Sequence, residues 1–340
     1  MKEIIVRSER EYRVSFSDTW RNQLSAICEG RNFLIITQEG LRDRVAAGMP
    51  GAKIIVTPDG EEQKTISTFS RLLQEVADLN LDRQSLIIGI GGGATTDLAG
   101  FVAATYMRGI DWVAIPTSVA GMVDASVGGK TGINLSAGKN LVGAFHSPIE
   151  AIVDMNWLDT LEPRDVKAGL AESVKCGFIS DKRILELFLE GYEKNLSEIV
   201  HRSIEVKARV VSKDFKESFD REDLNYGHTL GHAIERHSGY SLRHGEAISI
   251  GMIFAAEVSH IASKLPLESV KLHYEILGAL DLPISYEVGA WSNLFNFMTM
   301  DKKRRSSAIR FVTLEGIGRT GRAELDFSEL EKIYKAKVAR

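Results

Sequence analysis

The sequence is poor in cysteine, in long apolar runs and in excess positive charge, and each shortage argues against a class of protein. Cys28 and Cys176 are the only cysteines among 340 residues, too few for a disulfide scaffold, which indicates a reducing, cytoplasmic location. No stretch approaches the roughly 18 consecutive apolar residues of a membrane span, and a secretory signal is not expected. The net charge of −4 argues against a nucleic-acid-binding protein.

The composition is that of an ordinary globular protein, and the length points to more than one domain. Hydrophobic residues make up 44% of the chain and charged residues 26%, which excludes a disordered or fibrous chain. A length of 340 residues is well above the usual size of one domain. We therefore expect two domains, each with its own hydrophobic core. The expected function class is an enzyme.

Short β-branched runs alternate with helical patterns in the first half of the chain. Strands are predicted at residues 32–37, 53–56, 85–90 and 112–116, and the apolar residues between the second and third strands recur at helical spacing. Alternating strands and helices indicate a parallel sheet covered by helices. Residues 1–158 are therefore expected to form an α/β domain with a parallel sheet.

Helical patterns dominate the second half. Asp181 is placed to cap a helix, and residues 196–211 form an apolar stripe that includes Lys207. Residues 228–263 continue the helical pattern around Gly239, and only residues 308–314 return to a β-like pattern. Residues 159–340 are therefore expected to form a second, mainly helical domain.

A run of three glycines, residues 91–93, follows the strand predicted at residues 85–90 and leads into a helical segment. Glycines between a parallel strand and a helix let the backbone approach a phosphate group. A tight turn without a ligand is the alternative, but three consecutive glycines favour phosphate or dinucleotide binding. The spacing is not GxGxxG, and residues 123–130 break the GxxxxGK[ST] pattern, which argues against a standard Rossmann fingerprint and against a nucleoside triphosphatase.

Residue types that ligate metals cluster in the second half. His228 and His232 lie at positions i and i+4 of a predicted helix, His244 follows, and Glu172 precedes Lys175 by three positions. His228, His244 and Glu172 would supply the three protein ligands of a catalytic divalent metal. Histidines satisfied by hydrogen bonds or water are the alternative. The HExxH motif of zinc proteases is absent from the sequence.

Cationic residues accompany these candidates. Lys130 and Lys139 lie in polar stretches, Arg221 precedes the histidine pair, and a basic run occupies residues 302–305. Such a set suits an anionic, oxygen-rich ligand. The alternatives are solvated surface lysines and, for Lys207, an amine that only extends to solvent. Taken together, the cations suit a substrate that carries both a carboxylate and a phosphate.

Six longer motifs, in order along the chain, resemble the 3-dehydroquinate synthase family, within the wider group of sugar-phosphate cyclases. They are GGGATTDLAGFVAATYMRG, VDASVGGKTGIN, GKNLVGAFHSP, AGLAESVKCG, LNYGHTLGHAIE and HGEAISIGM. The match extends from about residue 60 to about residue 312 and therefore spans most of the chain.

This resemblance implies a fold and a reaction. Members pair an N-terminal nucleotide-binding α/β domain with a helical C-terminal domain, are typically homodimers, and bind NAD and a divalent metal, zinc or cobalt, in the interdomain cleft. They convert 3-deoxy-D-arabino-heptulosonate 7-phosphate into 3-dehydroquinate and phosphate in the shikimate pathway. The steps are transient oxidation by NAD, β-elimination of phosphate, re-reduction, ring opening and aldol closure, so NAD is recycled.

The resemblance also implies roles for individual residues. The metal ligands are Glu172, His228 and His244. The residues implied for NAD are Glu61, Lys64, Gly91, Gly92, Gly93, Asp97, Thr117, Ser118, Lys130 and Lys139. Those implied for the substrate are Arg108 across the dimer interface, Lys139, Asn140, Lys207, Arg221, Asn225, His232, and one of Lys302 and Lys303. The residues implied as catalytic are Asp124, Lys130, Lys175, Lys207, Asn225 and His232.

The chain departs from the family pattern after the first predicted strand. Gln38 stands where members often carry an aspartate that holds the adenosine ribose. The amide of Gln38 is still able to hydrogen-bond a hydroxyl group.

Three other functions are compatible with parts of the sequence. A metal-dependent polyol dehydrogenase shares the two-domain architecture, but a neutral polyol needs no set of cations. A sister cyclase would act on a related sugar phosphate, whereas Lys207 and Arg221 as a carboxylate clamp favour the acid substrate. A catalytically silent nucleotide-binding protein would not need every candidate metal ligand.

Overall fold

The computed structural model describes residues 3–216, 220–300 and 308–340. Two compact units make up the chain. One comprises Met1–Leu161 with Lys207–Lys216, and the other comprises Glu162–Val206 with Glu217–Arg340.

The first unit alternates strands and helices. Its strands are β1 (Glu3–Arg7), β2 (Glu11–Phe16), β3 (Phe33–Gln38), β4 (Ile54–Thr57), β5 (Leu86–Gly91), β6 (Asp111–Pro116), β7 (Lys130–Leu135), β8 (Gly138–Phe145) and β9 (Glu150–Val153). Its helices are α1 (Trp20–Cys28), α2 (Arg42–Gly48), α3 (Ile66–Asp78) and α4 (Gly93–Thr105).

Seven strands form one sheet in the order β1-β2-β9-β6-β5-β3-β4, while β7 and β8 pair separately. Every neighbouring pair in the large sheet is parallel except β1 with β2. β5 is buried along its whole length because helices cover both faces of a parallel sheet, and such strands consist of apolar residues and glycine. The predicted α/β fold class with a parallel sheet is confirmed.

The strand order reverses between β3 and β5. β3 pairs with β4 on one side and with β5 on the other, so the chain visits the edge strand β4 and then returns past β3 to form β5. Ligands bind in the crevice at the carboxyl ends of parallel strands where the order reverses. Gln38 ends β3 and Gly91 ends β5, which places the glycine run at this crevice.

The second unit is mainly helical, as predicted. Its helices are α5 (Pro163–Ile179), α6 (Lys182–Leu189), α7 (Tyr192–Lys213, to residue 206 in this unit), α8 (His228–His237), α9 (His244–Ser263), α10 (Leu267–Ala279), α11 (Trp291–Met300) and α12 (Phe327–Lys337). The strands β10 (Ala308–Gly316) and β11 (Arg319–Asp326) form an antiparallel hairpin.

α9 is the central helix of the second unit. Residues 245–259 are all buried, as expected for a helix that is apolar on every side. α5, α8, α10, α12 and β10 pack against it. Among the described residues, no helix is long and apolar enough to cross a membrane.

The structure corrects two sequence-based expectations. The helical pattern at 228–263 is interrupted between α8 and α9, because Gly239 adopts a left-handed conformation with φ of +60°. Residues 207–216, which the division at residue 158 assigned to the second domain, group with the first unit. Lys207 Nζ donates hydrogen bonds to the carboxylate and carbonyl oxygens of Asp124, and Ser212 Oγ accepts a hydrogen bond from the Arg7 backbone N–H.

A buried histidine in α10 makes the second unit sensitive to acid. His273 is fully excluded from solvent and stacks on Phe178 with ring centroids 3.4 Å apart. Its Nδ1 donates to the Ser269 carbonyl at 2.7 Å, and its Nε2 accepts from the Tyr226 hydroxyl at 3.0 Å. Burial lowers the pKa of His273 to about 3, so the ring is neutral in the folded chain.

Acidification is expected to weaken this fold through His273. In the unfolded chain the imidazole has a pKa of about 6.5, so between about pH 6.5 and pH 3 it is protonated there while it stays neutral in the folded chain. The free energy of unfolding therefore falls as the pH drops through this range. The loss from this group reaches about 2 kcal/mol at pH 5. Urea unfolding at pH 7.5 and pH 5 measures it, and His273→Gln should lose that part of the pH dependence. Equal pH dependence in both proteins would contradict the assignment.

Candidate active site

A carboxylate and two histidines from three helices converge in the second unit. Glu172 lies on α5, His228 begins α8 and His244 begins α9. Glu172 Oε1 lies 3.5 Å from His228 Nε2 and 3.2 Å from His244 Nε2. One ligand atom of each residue lies within 4.8 Å of the other two. The structure therefore brings together the three residues that the sequence indicated as a metal-ligand set.

Glycines let the three helices approach closely enough. A Cβ at Gly245, the residue after His244, would overlap the carbonyl oxygen of Ala168 on α5. A Cβ at Gly251 would likewise overlap the carbonyl oxygen of Gly227, which precedes His228. Only glycine permits these backbone approaches, so the same short contacts that pack the helices also set the separation of the ligand atoms.

Charge around Glu172 is arranged asymmetrically. Lys175 Nζ lies 2.5 Å from Glu172 Oε2, while Oε1 faces the two histidines. Burial raises the pKa of Glu172, but the Lys175 ammonium and His228 outweigh burial and hold the pKa well below its ordinary value. Burial also lowers the pKa of His228. An ionised carboxylate oxygen and a neutral imidazole are the forms in which these side chains ligate metals.

The sequence reasoning missed Glu235. This buried residue of α8 places Oε2 at 3.1 Å from His244 Nδ1, the ring nitrogen that faces away from Glu172. Burial lowers the pKa of His244, but hydrogen bonds to Glu172 and Glu235 outweigh it and raise the pKa to about 10. Glu235 follows His228 by seven residues and His232 by three, so the helical period was the available signal.

A cavity of about 290 Å³ adjoins the histidines. Asn225, His228 and His232 line it, and so do two cations that the sequence reasoning did not single out, Arg236 and Arg310. His232 is exposed, and its ring centroid lies 5.1 Å from that of His228. Two predicted substrate residues, Asn225 and His232, therefore share one cavity with a candidate metal ligand.

Charged residues also lie in and around the short segment that precedes α8 in the chain. Arg221 is 2% exposed. Its neighbour Glu222 lies 3.1 Å from Arg310 Nη2 and 2.9 Å from Arg322 Nε. Lys302 and Lys303 lie outside the described residues.

The glycine run in the first unit links a strand to a helix. Gly91 ends β5, Gly92 precedes α4 and Gly93 begins it. The Gly91 carbonyl accepts a hydrogen bond from the Thr117 backbone at 2.8 Å. Ser118 Oγ is the atom nearest to the place where a Cβ on Gly92 would stand, at 3.6 Å. Five residues predicted for NAD therefore lie together at the crevice.

Gln38 also reaches this loop. Its Oε1 accepts hydrogen bonds from the Gly92 backbone and from Thr95 Oγ1, both at 3.3 Å. Its Nε2 donates to Asp59 Oδ1 at 3.0 Å.

A buried lysine organises the other residues predicted for NAD. Lys64 Nζ lies 2.7 Å from Asp97 Oδ2, 2.5 Å from Asn140 Oδ1 and 3.7 Å from Glu61 Oε1. Burial lowers the pKa of Lys64, but Asp97 and Glu61 outweigh it and raise the pKa. Asn140, predicted for the substrate, is thus held in the first unit with the residues predicted for NAD.

The sequence reasoning missed Asn134, which ties this cluster together. Its Nδ2 donates to Glu61 Oε1 at 2.7 Å, and its Oδ1 accepts from the Asn140 backbone at 2.8 Å. Asn140 has a φ of +55°, a conformation that asparagine adopts more readily than most residues.

The remaining predicted residues also lie in the first unit. Lys207 pairs with Asp124, so its amine is held by an acid and a carbonyl. Lys130 begins β7 and is exposed, Lys139 lies in β8, and Arg108 follows α4 in a left-handed conformation with φ of +67°.

Comparisons with known proteins cover nearly the whole chain. Two family models match, described as 3-dehydroquinate synthase N-terminal over residues 54–168 and 3-dehydroquinate synthase C-terminal over residues 169–304. A 3-dehydroquinate synthase of Corynebacterium diphtheriae is 44% identical over 95% of each chain. One of Mycolicibacterium vanbaalenii is 42% identical over 98% of each chain.

A solved structure extends the likeness to the fold of a related cyclase. It is 2-deoxy-scyllo-inosose synthase, in complex with carbaglucose-6-phosphate, NAD⁺ and Co²⁺. The two chains share 26% identity with a TM-score of 0.86, over 99% of this chain and 100% of the other.

Proposed function

We propose, since this chain belongs to the 3-dehydroquinate synthase family, that it converts 3-deoxy-D-arabino-heptulosonate 7-phosphate into 3-dehydroquinate and phosphate. The family resemblance identified from the motifs is confirmed, and with it the class of enzyme, a phosphate-eliminating lyase of the shikimate pathway. The observation that carries the proposal is the 44% identity over 95% of both chains to a relative of that name.

The donor set in the second unit fits a divalent metal. Two imidazole nitrogens and one carboxylate oxygen converge, and Lys175 occupies the other oxygen of Glu172, which leaves three protein ligands and open positions for substrate. We assign Glu172, His228 and His244 as ligands of zinc or cobalt. The bound ion would polarise the substrate hydroxyl that is oxidised. Lys175 keeps Glu172 ionised for this role.

The glycine run fits the pyrophosphate of NAD. Gly92 has φ of −65° and ψ of 180°, a conformation open to any residue, so backbone strain does not demand glycine there. A Cβ on Gly92 would meet protein atoms only at 3.6 Å and beyond. The glycine therefore leaves space above the amino end of α4, where backbone N–H groups bind phosphates. NAD supplies transient hydride acceptance and return.

Gly92→Ala separates phosphate binding from a plain tight turn. The free energy of unfolding should stay within about 0.5 kcal/mol of wild type, because the methyl group would come no closer than 3.6 Å to another protein atom and its backbone angles are allowed. NAD⁺ affinity, measured by isothermal titration, should fall at least about tenfold because the methyl group occupies the space of the phosphate. Unchanged affinity would favour the tight turn. Gly91→Ala, whose Cβ would overlap Thr95, should instead lower stability.

The other residues predicted for NAD keep that role in this proposal. They are Glu61, Lys64, Gly91, Gly93, Asp97, Thr117, Ser118, Lys130 and Lys139. The Lys64–Asp97 ion pair supports it, because the buried Lys64 amine joins the segment before α3 to α4 beside the glycine run.

The cations and amides are assigned to the substrate. Guanidinium and ammonium groups bind carboxylate and phosphate oxygens through charge-assisted hydrogen bonds. Asn225 and His232 share the cavity beside His228, which supports contacts with the phosphate end. Asp124 orients the Lys207 amine. The residues assigned to the substrate are Arg108, Lys139, Asn140, Lys207, Arg221, Asn225, His232 and one of Lys302 and Lys303.

Oxidation of the C5 hydroxyl acidifies the C6 proton, and the departing phosphate accepts that proton. The remaining task of the protein is to orient one flexible substrate through successive steps. Asp124, Lys130, Lys175, Lys207, Asn225 and His232 are the residues assigned to that task.

Phosphate release and absorbance at 340 nm, followed together, test the activity. The protein receives the heptulosonate phosphate, NAD⁺ and zinc. Many turnovers of phosphate release without accumulating NADH are expected, because the cofactor is recycled. NADH that rises with turnover would replace the proposal with a polyol-type dehydrogenase. A folded, metal-loaded protein that is silent in both signals would redirect the assay to sister sugar phosphates.

A cytoplasmic homodimer completes the proposal. Light scattering on the purified chain measures the oligomeric state. Arg108→Ala in one subunit of a mixed dimer tests whether this arginine serves the site of the other subunit.

A further inference from the structure

His244 is held between two carboxylates. Its Nε2 lies 3.2 Å from Glu172 Oε1, and its Nδ1 lies 3.1 Å from Glu235 Oε2. Glu235 is 5% exposed, whereas the His244 side chain is 38% exposed. His244, the first residue of α9, is thus partly exposed, and the buried Glu235 on α8 contacts it.

An imidazole that ligates a metal through one nitrogen leaves the other N–H to a hydrogen-bond acceptor. That acceptor sets the tautomer, the ring orientation and the basicity of the ligand. We propose that Glu235 is a positioning residue that orients His244 and strengthens its bond to the metal. This inference rests on the metal site of the proposed function.

The two histidines differ in this outer contact. His228 Nδ1 lies 3.2 Å from the Tyr226 carbonyl oxygen, a neutral acceptor supplied by the backbone and beyond the reach of side-chain substitution. His244 has an ionisable side chain in the same role. Affinity for metal is therefore tunable at Glu235 but not at the corresponding contact of His228.

A different role for Glu235 is also testable. His232, Glu235 and His244 each offer a ligand atom within 4.8 Å of the others, so Glu235 would itself be a ligand if the metal sat on that second set. In that case His232 would be required for metal binding. If Glu235 only positions His244, His232→Ala leaves the metal affinity within about twofold of wild type.

Metal affinity is the first readout. The full-length chain, stripped of metal, competes with a chromophoric chelator for Zn²⁺ at fixed pH. Glu235→Gln, which keeps an acceptor oxygen but loses the charge, should weaken binding about tenfold, and Glu235→Ala should approach a hundredfold. Glu257→Gln is the matched control, because Glu257 is a buried carboxylate of α9 that contacts Tyr274 and Lys337 away from the histidines. It should leave the affinity unchanged.

The visible spectrum of bound Co²⁺ is the second readout, since it reports the donor atoms. Glu235→Gln should keep the wild-type band positions, because the three ligands are retained. A spectrum with different bands, shared by Glu235→Gln and His232→Ala, would overturn the positioning role and make Glu235 a ligand. Wild-type affinity in Glu235→Gln and Glu235→Ala would overturn it as well.

Failure of the proposed function has a separate signature. If the wild-type chain binds neither Zn²⁺ nor Co²⁺, the metal site itself is wrong and the inference falls with it. If the wild type binds both ions and the Glu235 variants bind equally well, only the inference fails. Urea unfolding of each variant shows whether an affinity change reflects loss of the fold.

Discussion

Replacing His228 with alanine is expected to lower kcat/KM at least about a thousandfold, equivalent to about 4 kcal/mol of transition-state stabilisation. The variant keeps two of the three converging ligand atoms, Glu172 Oε1 and His244 Nε2, and three protein ligands are the usual number for a catalytic ion. Steady-state phosphate release at saturating NAD⁺ measures the effect. Zinc content, determined on the same samples, should fall in parallel.

A chelator should reproduce this result in the wild type. Activity should disappear after metal removal and return on addition of Zn²⁺ or Co²⁺. His237→Ala is a control on the same helix, because His237 contacts the Tyr286 hydroxyl through Nδ1 at 2.9 Å and is assigned no ligand role. That variant should retain its metal. Turnover that survives chelation would show that the cluster of Glu172, His228 and His244 is a hydrogen-bonded core feature.

Gly245→Ala is expected to destabilise the second unit by about 3 kcal/mol and to weaken metal binding at the same time. The added methyl group would overlap the Ala168 carbonyl oxygen. This oxygen belongs to the backbone of α5, so it cannot move aside by a side-chain rotation. The beginning of α9 has to shift, and His244 shifts with it relative to Glu172. Urea unfolding measures the first effect, and competition with a chelator for Zn²⁺ measures the second.

Gly278→Ala is the matched control for this prediction. Gly278 lies within α10, and a Cβ there would meet no atom within 4 Å. The substitution should be neutral or stabilise the protein by up to about 1 kcal/mol, because alanine has the higher helix propensity. A Gly245→Ala protein as stable as wild type, with unchanged zinc affinity, would show that α5 and α9 separate without cost.

Local sequence patterns predicted the elements with strong periodicity and missed several short strands and hairpins. The strands predicted at 32–37, 53–56, 85–90 and 112–116 are confirmed within about one residue at each end, because each is a buried apolar run. β9 was missed. It has four residues and is fixed by β2 and β6, whose pairing with it spans long stretches of chain.

The hairpin of β7 and β8 was also missed. Its residues were interpreted as polar stretches that carry Lys130 and Lys139, and no strand was predicted there. In the structure Gly132 faces Gly143 across the pair, and a Cβ on Gly143 would overlap the Thr131 carbonyl oxygen. The glycines there serve close strand packing, which composition alone does not separate from a ligand-binding loop.

The candidate site was also predictable only in part. The sequence motifs alone were enough to indicate Glu172, His228 and His244 as one ligand set. Glu235 and Asn134 escaped prediction because their roles depend on where a partner's second polar atom points, at His244 Nδ1 and at the Asn140 backbone. Spacing identifies which residues share a helix face, but not which ring nitrogen is turned towards which acid.

The place of β9 in the sheet sets an order for synthesis on the ribosome. β2 and β6 become neighbours of one strand only when Glu150–Val153 is made. A nascent chain that ends before Glu150 therefore presents the backbone groups of β2 and β6 as two open edges, which are templates for pairing with other chains. Premature termination or pausing in the preceding stretch would therefore yield fragments with two unpaired strand edges, which are prone to associate with other chains.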